Sequence, residues 1–254
     1  MTFLEWITSS YPNPSISGQW GWLHITTLLI CAGVIVALAL LLRKKSDKAR
    51  KIALWVLVGL ILLFELSRRI INFCKATDFS FNNILYMLLP RPWCAISCWC
   101  LIASIFVNKK FFYNFASFTA LLCAIIFFAY PGVGFNNQYI LFENLYSICT
   151  HALLLITSIS LITLKFTEFR YKTIWKELIC LAVVFAYAFL EIYLLQIESD
   201  PLYFMPGNDV QEILGFGYPV FLIIYLVFMA IYVNVFYLIQ DRKLVFRRKS
   251  KQQN

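Results

Sequence analysis

Residues 88–100 read LLPRPWCAISCWC, Leu88 to Cys100. They lie in one of the most apolar parts of the chain, yet they carry two prolines, an arginine and three cysteines. Pro90 and Pro92 remove two backbone donors and disfavour helix at the residues before them, so a helical span here is predicted to break near Arg91 and restart at Pro92. Cys94 then falls in the first turn of the new helix. Unpaired N–H groups and the positive end of the helix dipole favour a thiolate there, and the same N–H groups can hold a developing oxyanion. Irregular backbone at bilayer depth survives only where protein buries it or it lines a wet cavity. The competing reading of these residues is a packing kink followed by an inert cysteine.

The rest of the chain decides the solvent. Its 254 residues are 61% hydrophobic and 14% charged, with mean hydropathy +0.74; a soluble domain carries about 25% charge. This excludes a soluble globular protein. A bilayer core takes roughly 20 helical residues to cross. Seven stretches qualify: about 22–42, 52–74, 84–107, 111–131, 139–164, 175–197 and 213–239, the last starting after the Gly215, Gly217 and Pro219 cluster. The expected fold is all-α, a polytopic transmembrane helical bundle in one domain over 1–254, with a basic tail at 240–254, multi-pass in the cell membrane. Residues 1–21 have Glu5 and no basic start, unlike a cleaved signal peptide.

Lysine and arginine set the orientation. Arg43, Lys44, Lys45, Lys48, Arg50 and Lys51 lie between spans one and two, and Lys109 and Lys110 between three and four. Lys165, Arg170 and Lys172 separate five and six, and the tail adds Arg242, Lys243, Arg247, Arg248, Lys249 and Lys251. The opposite loops hold only Lys75 and collect Asp78, Glu198, Asp200, Asp209 and Glu212. The N-terminus is expected outside and the C-terminus inside. Topology thus accounts for the net charge of +9 without a nucleic-acid partner.

Function then rests on polar residues within the spans, which are costly in lipid. With alternating directions, Glu65, Arg68, Arg69, Arg91, Cys94, Glu143, His151 and Glu191 fall in the outer half or near the midplane, which predicts a polar cavity open to the outside. Helix-to-helix structural pairing, such as Glu65 with Arg68, is the alternative. A cysteine nucleophile needs a base, and the chain has two histidines, His24 and His151. His151 is the better candidate, mid-span and on one face with Glu143 and Ser147. A carboxylate orienting its ring would come from another span, from Glu65 or Glu191.

The Leu89, Pro90, Cys94 element, followed by His151 in a helix entered from outside, resembles the YwaF-type bacterial membrane proteins. These are relatives of the transmembrane protein 164 acyltransferases and, more distantly, of androgen-induced-gene hydrolases of fatty-acid esters of hydroxy fatty acids. The resemblance covers roughly Leu85 to Leu238. It implies a Cys/His pair that takes an acyl chain from a phospholipid as a thioester and passes it to a lysophospholipid, with Cys94 as nucleophile and His151 as base. Departures from the pattern are Pro92 and Trp93, and ESDPLYFMPGND after span six, where Asp200 or Asn208 stands nearest to the family's asparagine. On this reading Arg68, Arg69 or Arg91 holds lipid phosphate. The alternatives are a lipid hydrolase, or a solute-binding or transport protein using Arg91 and Glu191.

No cofactor is expected. Cys94, Cys98 and Cys100 are spaced C-x3-C-x-C, and His151 does not complete a tetrahedral zinc site with them. Cys31, Cys123, Cys149 and Cys180 read as small buried apolar residues. The charge asymmetry predicts that a reporter fused after Asn254 is cytoplasmic and one placed before Trp20 is external. Finding both on one side in a protease-protection assay would rule out an odd number of spans.

Overall fold

The computed structural model of the protein describes residues 6, 7, 20–129, 135, 140–195 and 202–252. Most of the N-terminal stretch, Asp200 and the expected span ends at 131 and 197 lie outside the described residues. All regular structure among the described residues is helical. The chain divides into two compact units, Met1–Thr167 and Glu168–Asn254.

The first unit holds α1 (Trp22–Leu42), α2 (Asp47–Lys75), α3 (Phe81–Leu88), α4 (Trp93–Val107), α5 (Lys110–Ala129) and α6 (Phe142–Thr163). Its spine is α5, which packs against α4 on one side and α6 on the other. The reason is in its small residues: Ala116, Ser117, Ala120 and Ala124 are buried along it and let neighbouring backbones approach. The Ser117 hydroxyl donates to the Ser158 carbonyl on α6 at 3.1 Å, and the Ser97 hydroxyl of α4 lies 3.3 Å from the Cys123 sulfur. In lipid, where apolar surface gives helices little reason to associate, such packing and interhelical hydrogen bonds hold a bundle together. Helices α1 and α2 pack on α6, and α2 also packs on α4. Ser46 caps α2 by accepting from the Ala49 N–H at 3.3 Å, and Arg50 donates to the Leu164 carbonyl just past the end of α6.

The break in the third span is present. Helix α3 ends at Leu88, Leu89 is extended as a residue before proline must be, and α4 begins at Trp93 on an axis bent by 61°. Pro92 is the N-cap, and its carbonyl accepts from Ala95 N–H at 2.9 Å and Ile96 N–H at 3.2 Å. The far side of the break is closed by a side chain from α2. Arg69 Nη1 donates to the Met87 carbonyl at 2.8 Å, to that of Leu88, and to that of Leu89 at 3.2 Å. These carbonyls have no helical partner ahead of them, and a cation there also meets the negative end of the α3 dipole.

The second unit opens with a 3-10 turn, Tyr171–Thr173, followed by α7 (Ile174–Phe189), which widens into a π-helical turn at Leu190–Leu194. Then come α8 (Asp209–Leu214) and α9 (Tyr218–Gln252). Asn208 caps α8 by accepting from the Gln211 N–H at 2.9 Å, and Gly215, at φ 69°, ends it in the left-handed conformation that glycine tolerates. Phe169 packs edge-on against Phe236 and Tyr237, and the Tyr171 hydroxyl donates to Asn234 at 2.6 Å. Helix α9 runs on to Gln252, so most of the basic 240–254 segment continues the last helix.

Among the described residues five helical stretches are long and apolar enough to cross a membrane: Trp22–Leu42, Lys110–Ala129, Phe142–Thr163, Tyr171–Leu194 and Tyr218–Asp241. The bent pair α3 and α4 makes a sixth if it counts as one span. Helix α2 has 29 residues but carries Glu65, Arg68 and Arg69 in its apolar stretch, which sets it apart from these. An Arg69→Gln substitution removes the donor that serves the α3 end. It is expected to lower stability by about 1–3 kcal/mol, the cost of leaving buried carbonyls unsatisfied. Thermal unfolding in detergent micelles checks this, with Arg50→Gln at the α2 start as the milder reference.

Candidate functional site

Three helices of the first unit bring polar groups together at the break: α2 with Glu65, Arg68 and Arg69, α4 with Cys94, and α6 with Tyr146 and His151. Glu65 is completely buried. A carboxylate in such a place must be paired and hydrogen-bonded to be tolerated. Its Oε1 accepts from the Tyr146 hydroxyl at 2.6 Å, and its Oε2 lies 3.5 Å from Arg69 Nη2. Arg69 also lies against the Trp99 ring at 5.5 Å. One carboxylate thereby ties α2 to α6, while the arginine beside it ties α2 to the α3 end.

Cys94 is half-buried at the second residue of α4. The Cys94 N–H lies toward its own sulfur, the Ala95 N–H nearby is already given to the Pro92 carbonyl, and Arg68 and Glu65 lie within electrostatic reach of the sulfur. The first turn of α4 therefore offers an anion at this sulfur the Cys94 N–H and the positive end of the helix dipole, while the Ala95 and Ile96 N–H groups serve the Pro92 carbonyl.

His151 sits on α6 with its ring stacked on Phe127, centroids 3.8 Å apart and planes 7° from parallel. Its Nδ1 lies 2.8 Å from the Ser147 carbonyl oxygen. A carbonyl can only accept, so Nδ1 carries the proton and Nε2 keeps a lone pair. The ring is thus held as the tautomer that can take a proton. The orienting partner is this main-chain carbonyl rather than the expected carboxylate, and Ser147 contributes its backbone. Arg68 is within electrostatic reach of His151 as well. Among the described residues no hydrogen bond joins the Cys94 sulfur to the His151 ring; the two share Arg68 as a neighbour.

The remaining predicted residues are placed as follows. Arg91 is buried and lies over the Tyr86 ring at 5.0 Å. Glu143 is exposed in the first turn of α6. Glu191 is buried in the π-helical turn of the second unit, where Oε1 accepts from the Tyr187 hydroxyl at 2.6 Å. His24 is sealed at the start of α1, its Nδ1 3.3 Å from the Trp20 N–H, with its ring against Phe128 and Phe135. It belongs to an aromatic pad that continues through Phe127 to His151. Among the described residues no group of three His, Cys, Asp or Glu side chains is arranged to hold a metal ion, and all eight cysteines are free thiols.

Sequence reasoning passed over Tyr146 and Phe127. The signal for Tyr146 was the demand made by Glu65: a carboxylate inside a span needs a donor, and a tyrosine on a neighbouring span supplies one without adding charge. Glu177 of α7, 1% exposed and beside Tyr237, was also passed over. It fell in a stretch read only for its hydropathy.

Apolar helices, a broken span and a polar cluster drawn from three packed helices define a polytopic helical membrane protein with a polar site at the break. The chain belongs to the TMEM164 family, whose family model matches residues 19–240. No curated protein and no solved structure matches the chain.

If His151 serves Cys94 as a base, the pair has a kinetic signature. In protein whose exposed Cys74 is replaced by serine, a membrane-permeant iodoacetamide should modify Cys94 ahead of the buried Cys98 and Cys123. His151→Ala should slow modification of Cys94 at least threefold. Mass spectrometry of the labelled peptides reads both rates, and equal rates at Cys94 and Cys123 would mark Cys94 as an inert core thiol.

Proposed function

We propose that this protein is a phospholipid acyltransferase of the cell membrane, with Cys94 as nucleophile and His151 as general base. The observation that carries the reading is Cys94 in the first turn of α4, directly after the break, with its own main-chain N–H toward its sulfur. Membership of the TMEM164 family and the tautomer of His151 support it. The proposed topology has seven spans, with α2 as the one that carries charge and the bent α3–α4 pair as another, the N-terminus outside and the C-terminus inside.

The steps balance without a cofactor. His151 Nε2 takes the thiol proton, directly or through one water, as the sulfur attacks the ester carbonyl of a phospholipid. The C–S bond forms and the carbonyl π pair moves onto oxygen, where the Cys94 N–H and the positive end of the α4 dipole stabilise it. Collapse expels the lysophospholipid oxygen, which takes the proton back from His151, and the acyl group remains as a thioester on Cys94. In the second half a lysophospholipid hydroxyl gives its proton to His151 and attacks the thioester, and the sulfur leaves and is reprotonated. Water in place of the lysolipid turns the same cycle into hydrolysis.

Incubating purified protein with a phospholipid radiolabelled in its acyl chain should leave label on Cys94 that neutral hydroxylamine removes. Cys94→Ala should abolish the label, and His151→Ala should reduce its formation about a hundredfold, the scale of a lost general base. If Cys94→Ala leaves labelling and lipid composition intact while Arg91→Ala or Glu191→Ala abolishes function in cells, solute binding replaces acyl transfer as the reading.

A further inference from the structure

Two adjacent arginines on α2 face the site, and they are engaged very differently. Arg69 is committed: Met87, Leu88 and Leu89 carbonyls and the Glu65 carboxylate take its donors. Arg91, the third arginine near the break, is buried over Tyr86. Arg68 is only half-buried; among the described residues no ion pair engages its guanidinium, and the hydrogen bond it makes is with the Tyr146 side chain. The guanidinium lies over the Tyr146 ring, 5.6 Å from its centroid. That tyrosine is fixed by its hydroxyl bond to Glu65, so it offers the guanidinium one acceptor and leaves most of the five N–H donors over. Within electrostatic reach of it lie Cys94, Glu65 and Tyr146 on one side of the break and His151 on α6.

A guanidinium presents five N–H donors in a planar fork that matches two oxygens of a phosphate or carboxylate. Held in an apolar segment with most of those donors unspent, it is a costly group unless an anion completes it. The neighbouring carboxylate does not do so, since Glu65 is already taken by Tyr146 and Arg69.

We infer that Arg68 is the anion-holding residue of this site, and that the anion is the phosphodiester of the lipid whose ester carbonyl is presented to Cys94. The inference rests on the acyl-transfer reading for the identity of the lipid, but the anion site itself stands on the arrangement of the two arginines. It gives adjacent residues separate tasks: Arg69 builds the break, and Arg68 selects a charged lipid over a neutral one. A diacylglycerol, with the same acyl esters and no phosphate, would find nothing for Arg68 to hold.

Binding to the Cys94→Ala protein in detergent micelles, where no thioester can form, tests this apart from catalysis. The probes are dihexanoyl phosphatidylglycerol, dihexanoylglycerol and hexanoate, followed by calorimetry or tryptophan fluorescence. Arg68→Gln should weaken the phospholipid at least tenfold and Arg68→Lys by a smaller factor, because an ammonium keeps the charge and loses the fork. Binding of the neutral lipid should change less than twofold, and this also shows that the variants are folded. Equal weakening of phospholipid and neutral lipid would overturn the inference and make Arg68 a shaping residue. No weakening of either would make it an arginine reaching to the membrane surface. Weakening of hexanoate alone would assign the anion to a fatty-acid carboxylate and overturn the phosphodiester. A phosphate-selective loss with no Cys94 thioester in the labelling experiment would leave the anion site standing and remove the acyl-transfer reading.

Discussion

The bond set on which the first unit depends is the grip of Arg69 on the carbonyls of Met87, Leu88 and Leu89. Two prolines stop a helix in the middle of an apolar segment, and the carbonyls left at its end have neither water nor a next turn to satisfy them. A single guanidinium reaching from α2 answers that demand, and it is itself steadied by Glu65 and the Trp99 ring. Everything placed by α4 follows from this. The helix can begin afresh at Trp93, on an axis bent by 61° from α3, only because the chain before it is held.

A charged residue within a bundle is usually read as one more functional group, and here the charges sort into supports and tools. Glu65 and Arg69 are supports: both carboxylate oxygens and the two terminal guanidinium nitrogens are engaged by protein, and together they join α2 to α3 and α6. Cys94, His151 and Arg68 are the groups with chemistry to spare. The sulfur sits at the start of α4 beside the Cys94 N–H, the imidazole keeps a lone pair, and the guanidinium keeps most of its fork. Placing the supports one residue or one turn from the tools gives rigidity where it is needed. Arg68 and Arg69 share the end of α2, and Tyr146 and His151 share α6. Behind them α5, with its small buried residues, allows α4 and α6 to lie close to a common partner.

The break itself was legible from Pro90 and Pro92, because proline acts through local covalent geometry: a fixed φ and a missing N–H do not depend on distant parts of the chain. The start of α9 beyond the Gly215 and Gly217 cluster was legible for a related reason. The membrane class was legible from hydropathy, a property summed over many residues and therefore insensitive to any one contact. The span count was less so. Helix α2 carries Glu65, Arg68 and Arg69 within its apolar stretch, and their cost in a bilayer depends on partners that lie far away in sequence.

Sequence alone thus determined the all-helical membrane class and the interruption before Cys94, and it singled out His151 as the candidate base. Tertiary structure decided which polar groups are spent. Nothing along the chain distinguishes Arg68 from its neighbour Arg69, and nothing pairs Glu65 with Tyr146 across 81 residues or sets His151 on the Ser147 carbonyl and the Phe127 face. Those assignments turn on which side chains meet across three packed helices. A hydrogen bond made in one of these places leaves its donors unavailable in another, and only the folded chain settles where each is made.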